Sequence, residues 1–431
     1  MKKPSLIRLL VADELPYSHG VENVSLALVK EFLDLFEQVT WVTARPNRAR
    51  ELEKLFPKSQ NLRFASLFAE DTNSQNPRKP IASSGWKSVV KRLPLIGRGA
   101  RKAHRRRIDD RLRRICRESA STHCFVNYAL SQTAPKLDIP VVGLVHDLNF
   151  LHYPDNFTPD APQELRLAIA QWLQDADVVT VLSQAGKEEL LSLAPKPSRA
   201  RVEIIPNAIK DAVEELANRK PVSGPPTFLY PATALAHKNH LGLLQAANEL
   251  ALNGNDFQVV MTGAKVEEIG RQEPVANATV EKARLYYREN QNLLEGKVSF
   301  RIARNTAELS QLYQRAHRVI LPTKYEGFGL PLLEAISHGT RVLCSNIAQF
   351  HEQVERYDLS AWVDFFDPHE PTSIARAMEN TCLASESPLL LPEVKEKLSQ
   401  WQWRDSARSY LNLFEELTAK GSQDSVSNPK N

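Results

Sequence analysis

Short apolar runs rich in β-branched residues alternate with longer amphipathic stretches along this chain, halt at a cluster of prolines and a glycine, and then resume. In the first half the apolar runs are Ile7 to Ala12, Val39 to Ala44, His123 to Val126, Val141 to Val145 and Val178 to Leu182. Between the first two, Glu22 to Phe36 carries Val24, Leu28, Phe32 and Leu35 at the spacing of one helical face. This rhythm predicts parallel sheets covered by helices. Lys220 to Pro226, KPVSGPP, can continue neither element, and the interdomain linker is placed there. Beyond it come Thr227 to Tyr230, a helix from about His240 to Leu252, Gln258 to Thr262, Lys297 to Phe300, a helix near Ala307 to Ala316, Val319 to Leu321, a helix from about Leu330, Arg341 to Cys344, and a last helix near Ser406 to Leu417. The expected fold class is therefore α/β, two doubly wound parallel-sheet (Rossmann-like) domains facing across a cleft. The first spans 1–215, with a basic insertion at about 86–117; the second spans 227–395. Residues 421–431, GSQDSVSNPKN, read as a disordered tail. Open parallel sheets take ligands at the carboxyl ends of their strands, so two such edges facing each other suggest a cleft enzyme.

Composition removes whole classes of alternative. With 42% hydrophobic and 25% charged residues the chain is ordinary for a globular protein, and global disorder is excluded. No stretch approaches 18 apolar residues, and the first apolar run is broken by Arg8, too short for a signal-peptide core; a cytoplasmic location is the expectation. Cys116, Cys124, Cys344 and Cys382 show no C-x-x-C spacing, so no zinc ribbon or dithiol redox pair is indicated. No G-x-G-x-x-G follows the first strand, and neither G-x-S-x-G nor H-E-x-x-H occurs, which argues against a dehydrogenase, an α/β-hydrolase and a zinc peptidase. Asp175-Ala176-Asp177 is a metal-type triplet, but it sits just before a strand, where turn roles explain it.

Charge is unevenly spread. From Lys87 to Arg117, 13 basic residues face only Asp109 and Asp110, a local net of +11 in a chain whose formal net charge is +4. Such a block meets solvent or an anionic partner: nucleic acid, anionic lipid or a phosphorylated substrate. No aromatic residues suited to base stacking interrupt it between Lys91 and Arg117, which argues against nucleic acid. Trp86, Val89, Val90, Leu93, Leu95 and Ile96 lie among its first charges, as in a segment that rests on an anionic membrane surface; a solvated, partly disordered insertion is the plainer reading.

The densest chemistry lies in LPTKYEGFGLPLLEAISHG, from Leu321 to Gly339. A strand ending at Leu321, a glycine-bearing turn and a helix opening near Gly329 place the N–H groups of Gly327, Phe328, Gly329 and Leu330 where unpaired donors favour an anion such as phosphate. Glu326 and Glu334, eight positions apart, can project toward one cleft and accept hydrogen bonds from sugar or ribose hydroxyls. Spacing alone also allows a solvated Glu334 and a Glu326 that merely complements the helix dipole.

Glu326-Gly327-Phe328-Gly329-Leu330-Pro331-Leu332-Leu333-Glu334-Ala335 resembles in full the signature of the retaining GT-B glycosyltransferases of the large family 4 type, and HDLNFLHYPDNF from His146 and YPATALAHKNH from Tyr230 look closest to its mannosyltransferase-like members. YPATALAHKN from Tyr230 is similar to the family's phosphate-binding turn, VVGLVHDLNFLHYPDNFTP from Val141 and VLSQAGKEEL from Val181 to segments of its acceptor domain. QWQWRDSARSYLNLFEEL from Gln400 is similar to a terminal helix that crosses back to that domain, here 396–418. The resemblance implies transfer of a hexose, mannose among the candidates, from a GDP- or UDP-linked donor to a hydroxyl of a carbohydrate or lipid-linked acceptor, with retention and with neither cofactor nor metal. It implies that Glu334 holds the donor ribose, Glu326 the donor sugar and Lys238 the diphosphate, and that His146 stands beside the transferred sugar, although Asp147 could equally be the polar group that matters. Gly20, in PYSHGVE, corresponds to one glycine of the turn that closes on the donor, with His19 in place of the other. Many relatives carry an arginine five or six residues before the lysine; here those positions are Thr233 and Ala232, and His237 or Lys324 are the candidates to supply the charge. A nucleotide-sugar epimerase or phosphorylase on the same architecture is the competing enzyme; a nucleic-acid-binding scaffold is the competing non-enzyme.

Overall fold

The computed structural model describes residues 5–13, 19–44, 46–57, 59–68, 97–131, 133–194, 198–209, 222, 224–383 and 389–427. Two all-parallel sheets organise the chain. The first contains β1 (Ser5–Asp13), β2 (Phe36–Thr43), β3 (Leu62–Ser66), β4 (His123–Val126), β5 (Val141–Val145), β6 (Val178–Val181) and β7 (Arg201–Ile204), in the order β3-β2-β1-β4-β5-β6-β7. The second contains β8 (Thr227–Pro231), β9 (Gln258–Thr262), β10 (Val298–Arg301), β11 (Arg318–Leu321), β12 (Arg341–Ser345) and β13 (Val363–Phe366), in the order β10-β9-β8-β11-β12-β13. Each is wound outward in both directions from a central pair, β1 beside β4 and β8 beside β11, so each has its ligand crevice at the carboxyl ends of that pair.

The interior strands are the ones the apolar runs announce. Three of the edge strands, β3, β7 and β13, do not announce themselves: LRFAS, RVEI and VDFF are short, broken by charged residues and only partly buried, whereas the edge strand β10 lies within the run Lys297 to Phe300. Glycine decides one packing contact within the first sheet. A Cβ on Gly143 in β5 would overlap the ring of Trp172, which lies against the sheet from the helix Ala161–Asp175 and donates its indole N–H to the Ala129 carbonyl at 2.8 Å.

The basic block is ordered where it is described. A helix spans Gly97–Glu118 and packs Ile108, Leu112, Ile115 and Cys116 into the first domain, leaving Arg106, Arg107, Arg111, Arg114 and Arg117 exposed. An apolar ridge at helical spacing therefore replaces the disordered insertion for this half of the block; Trp86 to Ile96 and the body of the linker, 210–221, lie outside the described residues.

The last helix, Trp403–Ser427, returns to the first domain. Tyr410 meets the Thr180 hydroxyl at 3.0 Å and the rings of Phe32 and Phe125, and Phe414 packs on Phe36. Helix continues through Ser427, so the tail expected to be disordered begins as helix, and only 428–431 lie outside the described residues.

Candidate functional site

The two loops at the β8/β11 crevice bring Lys238 and Glu326 together. After β8 the chain turns through Ala236–Lys238, where Asn239 takes a left-handed conformation (φ 58°) and starts the helix His240–Leu252. The Lys238 Nζ donates to Glu326 Oε1 at 2.5 Å, both side chains being largely buried. The Tyr230 hydroxyl donates to the Lys238 carbonyl, and Thr323 and Lys324 bind the His237 carbonyl at 3.0 and 2.7 Å. The lysine is thus presented by a turn tied down at its backbone.

Glu334 has a different partner. From the helix Leu330–Ser337 its carboxylate accepts the Tyr313 hydroxyl at 2.8 Å, and burial holds its pKa above the ordinary carboxylate value while that hydrogen bond pulls it down. Gly329, with φ 85°, starts this helix; a Cβ there would overlap the Phe350 ring. Phe328 is buried and its carbonyl accepts from Gln353 Nε2, so it shapes the turn from beneath. Leu330 opens the helix at the expected place.

The first domain closes over this pair. His146 follows β5, is buried, and donates Nε2–H to the Asn127 carbonyl at 2.7 Å. Burial lowers its pKa to about 4 and that hydrogen bond resists, so it is neutral near pH 7. Asp147, beside it, has a raised pKa: burial dominates, the Asn149 N–H and Lys238 oppose it, and Glu326 and Glu189 add to it. His146, Asp147, Glu326 and Gly327 line one small interdomain cavity. A Cβ on Gly327 would overlap the His146 carbonyl oxygen, so the closed cleft requires a glycine there. Tyr325 bridges the domains, its hydroxyl accepting the Leu148 N–H at 2.9 Å and donating to Glu189 at 2.7 Å. Glu352 spans the interface too, accepting the Gln184 and Ala185 N–H groups at 2.8 and 3.1 Å.

The structure also locates the other residues singled out in the sequence. His237 cannot supply the missing cation: burial, then Lys238, then His240 lower its pKa to about 3, so it is neutral. Lys324 remains, on the wall of an open interdomain groove with Glu188, Glu189 and His152. Gly20 stands in the first turn of a helix, His19–Leu35, with no atom within 4 Å of a Cβ built on it, so no protein contact here demands glycine; 14–18 of its loop lie outside the described residues. Asp175 and Asp177 lie at the amino edge of the first sheet, opposite the cleft, where Gln171 binds Asp175 at 3.1 Å and the Val141 N–H binds Asp177 at 2.8 Å. Tyr313, Asn156 and Glu352 went unread because no local spacing connects them to the motif; Tyr325 lies beside Glu326 within it, but its role rests on first-domain partners, Leu148 and Glu189, far away in sequence.

Two family descriptions match consecutive halves of the chain, Glycosyltransferase Family 4 over 18–213 and Glycosyl transferases group 1 over 213–388. The O-antigen chain mannosyltransferase B of Escherichia coli is 23% identical over 286 residues, 64% of this chain and 70% of that enzyme. The serotype-specific mannosyltransferase WbdA of Escherichia coli is 29% identical over 187 residues, 43% of this chain and only 20% of that enzyme. Among solved structures, sucrose-phosphate synthase from Thermosynechococcus elongatus superposes with a TM-score of 0.65 at 16% identity, covering 96% of this chain and 100% of the other. HepE of Anabaena, solved with UDP and glucose, superposes with a TM-score of 0.62 at 15% identity, covering 95% and 99%.

Proposed function

This chain belongs to the family 4 glycosyltransferases of GT-B fold, and from that premise we propose that it moves a hexose, mannose first among candidates, from a GDP- or UDP-linked donor to a hydroxyl of a carbohydrate or lipid-linked acceptor, with retention and without a metal. The observation that carries this reading is the Lys238–Glu326 pair at the β8/β11 crevice, facing His146 and Asp147 across the closed cleft. The diphosphate of the donor takes Lys238 from Glu326. The freed carboxylate then accepts from the sugar hydroxyls, and Glu334 accepts from the ribose diol. As the glycosidic bond breaks, negative charge grows on the leaving diphosphate, and a fixed ammonium with the helix N–H groups at Gly329 and Leu330 stabilises it. The departing phosphate oxygen accepts the acceptor's proton on the same face, which leaves the anomeric configuration unchanged. Neutral His146, its Nε2–H engaged by Asn127, faces the sugar as a polar wall rather than a cation.

The exposed arginines of Gly97–Glu118 support attachment of the enzyme to an anionic inner membrane face, within reach of a lipid-linked acceptor. No helix among the described residues is long and apolar enough to cross a membrane.

Transfer assays with Lys238→Ala and Glu326→Ala test the site. Losing a contact to developing charge costs about 2.7 to 4 kcal/mol, near a 10²- to 10³-fold drop in rate, with folding retained. Parent-level transfer by Lys238→Ala removes the assignment. Product formed from the nucleotide sugar without any acceptor favours the epimerase or phosphorylase alternative, and loss of transfer in excess EDTA, restored by manganese, contradicts metal independence.

A further inference from the structure

Among the described residues, Asn156 of the first domain hydrogen-bonds to the turn that presents Lys238. Asn156, half-buried after β5, accepts the Ala236 N–H on its Oδ1 at 3.1 Å and places its Nδ2 3.1 Å from His237 Nδ1. The chemistry fixes every proton in this contact. A backbone N–H only donates, so the amide oxygen must face Ala236; the NH2 group then faces His237 and only donates, so Nδ1 must accept and the ring must be neutral with its proton on Nε2. The surroundings enforce that state. Lys238 and His240 are the charged or titratable neighbours acting on His237, the Tyr153 ring of the first domain lies 5.8 Å from it, and burial lowers its pKa to about 3. The other tethers of this turn, from Tyr230, Thr323 and Lys324, come from its own domain and persist whether the cleft is open or shut. Asn156 alone among these tethers depends on closure.

We propose that Asn156 is a positioning residue: on domain closure its amide docks on Ala236 and His237 and sets Lys238 in place for the donor diphosphate. The inference rests on the donor-site reading above and adds to it a first-domain residue through which the cleft senses closure. Asn156 acts through Lys238, so its effect must vanish when Lys238 is gone.

A double-mutant cycle on nucleotide binding tests this. Calorimetry first selects GDP or UDP, whichever the parent binds more tightly, with the matching monophosphate as control. Asn156→Ala weakens the diphosphate roughly tenfold, the net worth of one to two hydrogen bonds, and the monophosphate much less. Lys238→Ala weakens the diphosphate on its own, and adding Asn156→Ala to it costs nothing further. Asn156→Asp separates positioning from packing. Its carboxylate still takes the Ala236 N–H and can accept an Nδ1–H from the other neutral tautomer of His237, so Asn156→Asp keeps diphosphate affinity that Asn156→Ala loses. If the Asn156→Ala loss persists in full on top of Lys238→Ala, or extends equally to the monophosphate, Asn156 is not positioning Lys238 and the donor site still stands. If neither GDP nor UDP binds, or Lys238→Ala binds the diphosphate as the parent does, the donor-site reading falls and this inference with it.

Discussion

At Gly327 the two domains meet backbone to backbone. Its φ is not among the positive values of the chain, so glycine is needed there for close approach and not for conformation. Gly327→Ala is therefore expected to fold normally, since no positive φ demands glycine there, but to hold the domains apart at the His146 carbonyl. Misplacement by about 1 Å can cost on the order of 100-fold in rate. The check is transfer rate against thermal stability: a loss of that order with the melting temperature unchanged fits, and full activity shows that the cleft reacts in another arrangement. Single residues of the site differed in how legibly they stood in the sequence. Glu326, Glu334 and Lys238 were readable because each lies in a contiguous motif whose neighbours specify a turn or a helix start. Tyr313, which holds Glu334, and Asn156, which docks beside Lys238, were not, because they lie 21 and 80 or more residues away and touch their partners only through folding.

The helix Gly97–Glu118 shows the same contrast at the scale of an element. Its charge density hides an apolar ridge, Ile108, Leu112, Ile115 and Cys116, that docks it on the first domain. Not all of its arginines are available to a partner. Arg105 donates to the Thr133 carbonyl at 2.7 Å and pairs with Asp109 at 3.2 Å, anchoring the helix. Membrane attachment is then tested by reversing Arg106, Arg107 and Arg111 to Glu while leaving Arg105 intact. Each basic residue near an anionic leaflet contributes about 1 kcal/mol, so losing these three contacts lowers partition by at least about 100-fold, and the repulsion of three added carboxylates lowers it further. Liposome co-sedimentation measures it; binding should require anionic lipid and fall with salt. Equal recovery of parent and variant on anionic vesicles overturns the attachment. Strand legibility follows the same physics: β5 and the middle of β8 are continuous buried apolar runs and read clearly, while β3, β7 and β13, interrupted by charged residues and only partly buried, did not.

For the whole molecule, buried neutral histidines couple folding to pH. His123 and His146 have pKa values lowered to about 4, His237 and His240 to about 3, each chiefly by burial. The unfolded chain protonates them near 6.5 and the folded protein does not, so the unfolded state binds more protons and stability falls as pH drops from about 6.5 toward about 4. The slope reaches about 1.4 kcal/mol per pH unit for each histidine. Asp147 and Glu334, whose pKa values are raised by burial, work in the opposite direction once pH enters the carboxylate range. Melting temperature recorded from pH 7 to pH 4 should decline steadily, and a flat profile contradicts neutral burial of these rings.

The sequence alone determined the double α/β architecture, the broken rhythm between its halves and the Glu326 to Glu334 signature, because each is written in residues close together and follows from local periodicity and turn chemistry. Tertiary structure decided which domains touch and through which atoms: that Glu326 is paired with Lys238, that His146 is neutral, that His237 is an acceptor and not a cation, and that an asparagine of one domain rests on the lysine turn of the other. Burial and partners separated by tens to hundreds of residues set the charge and proton position of each group, and those depend on distances in the folded cleft that no spacing along the chain contains.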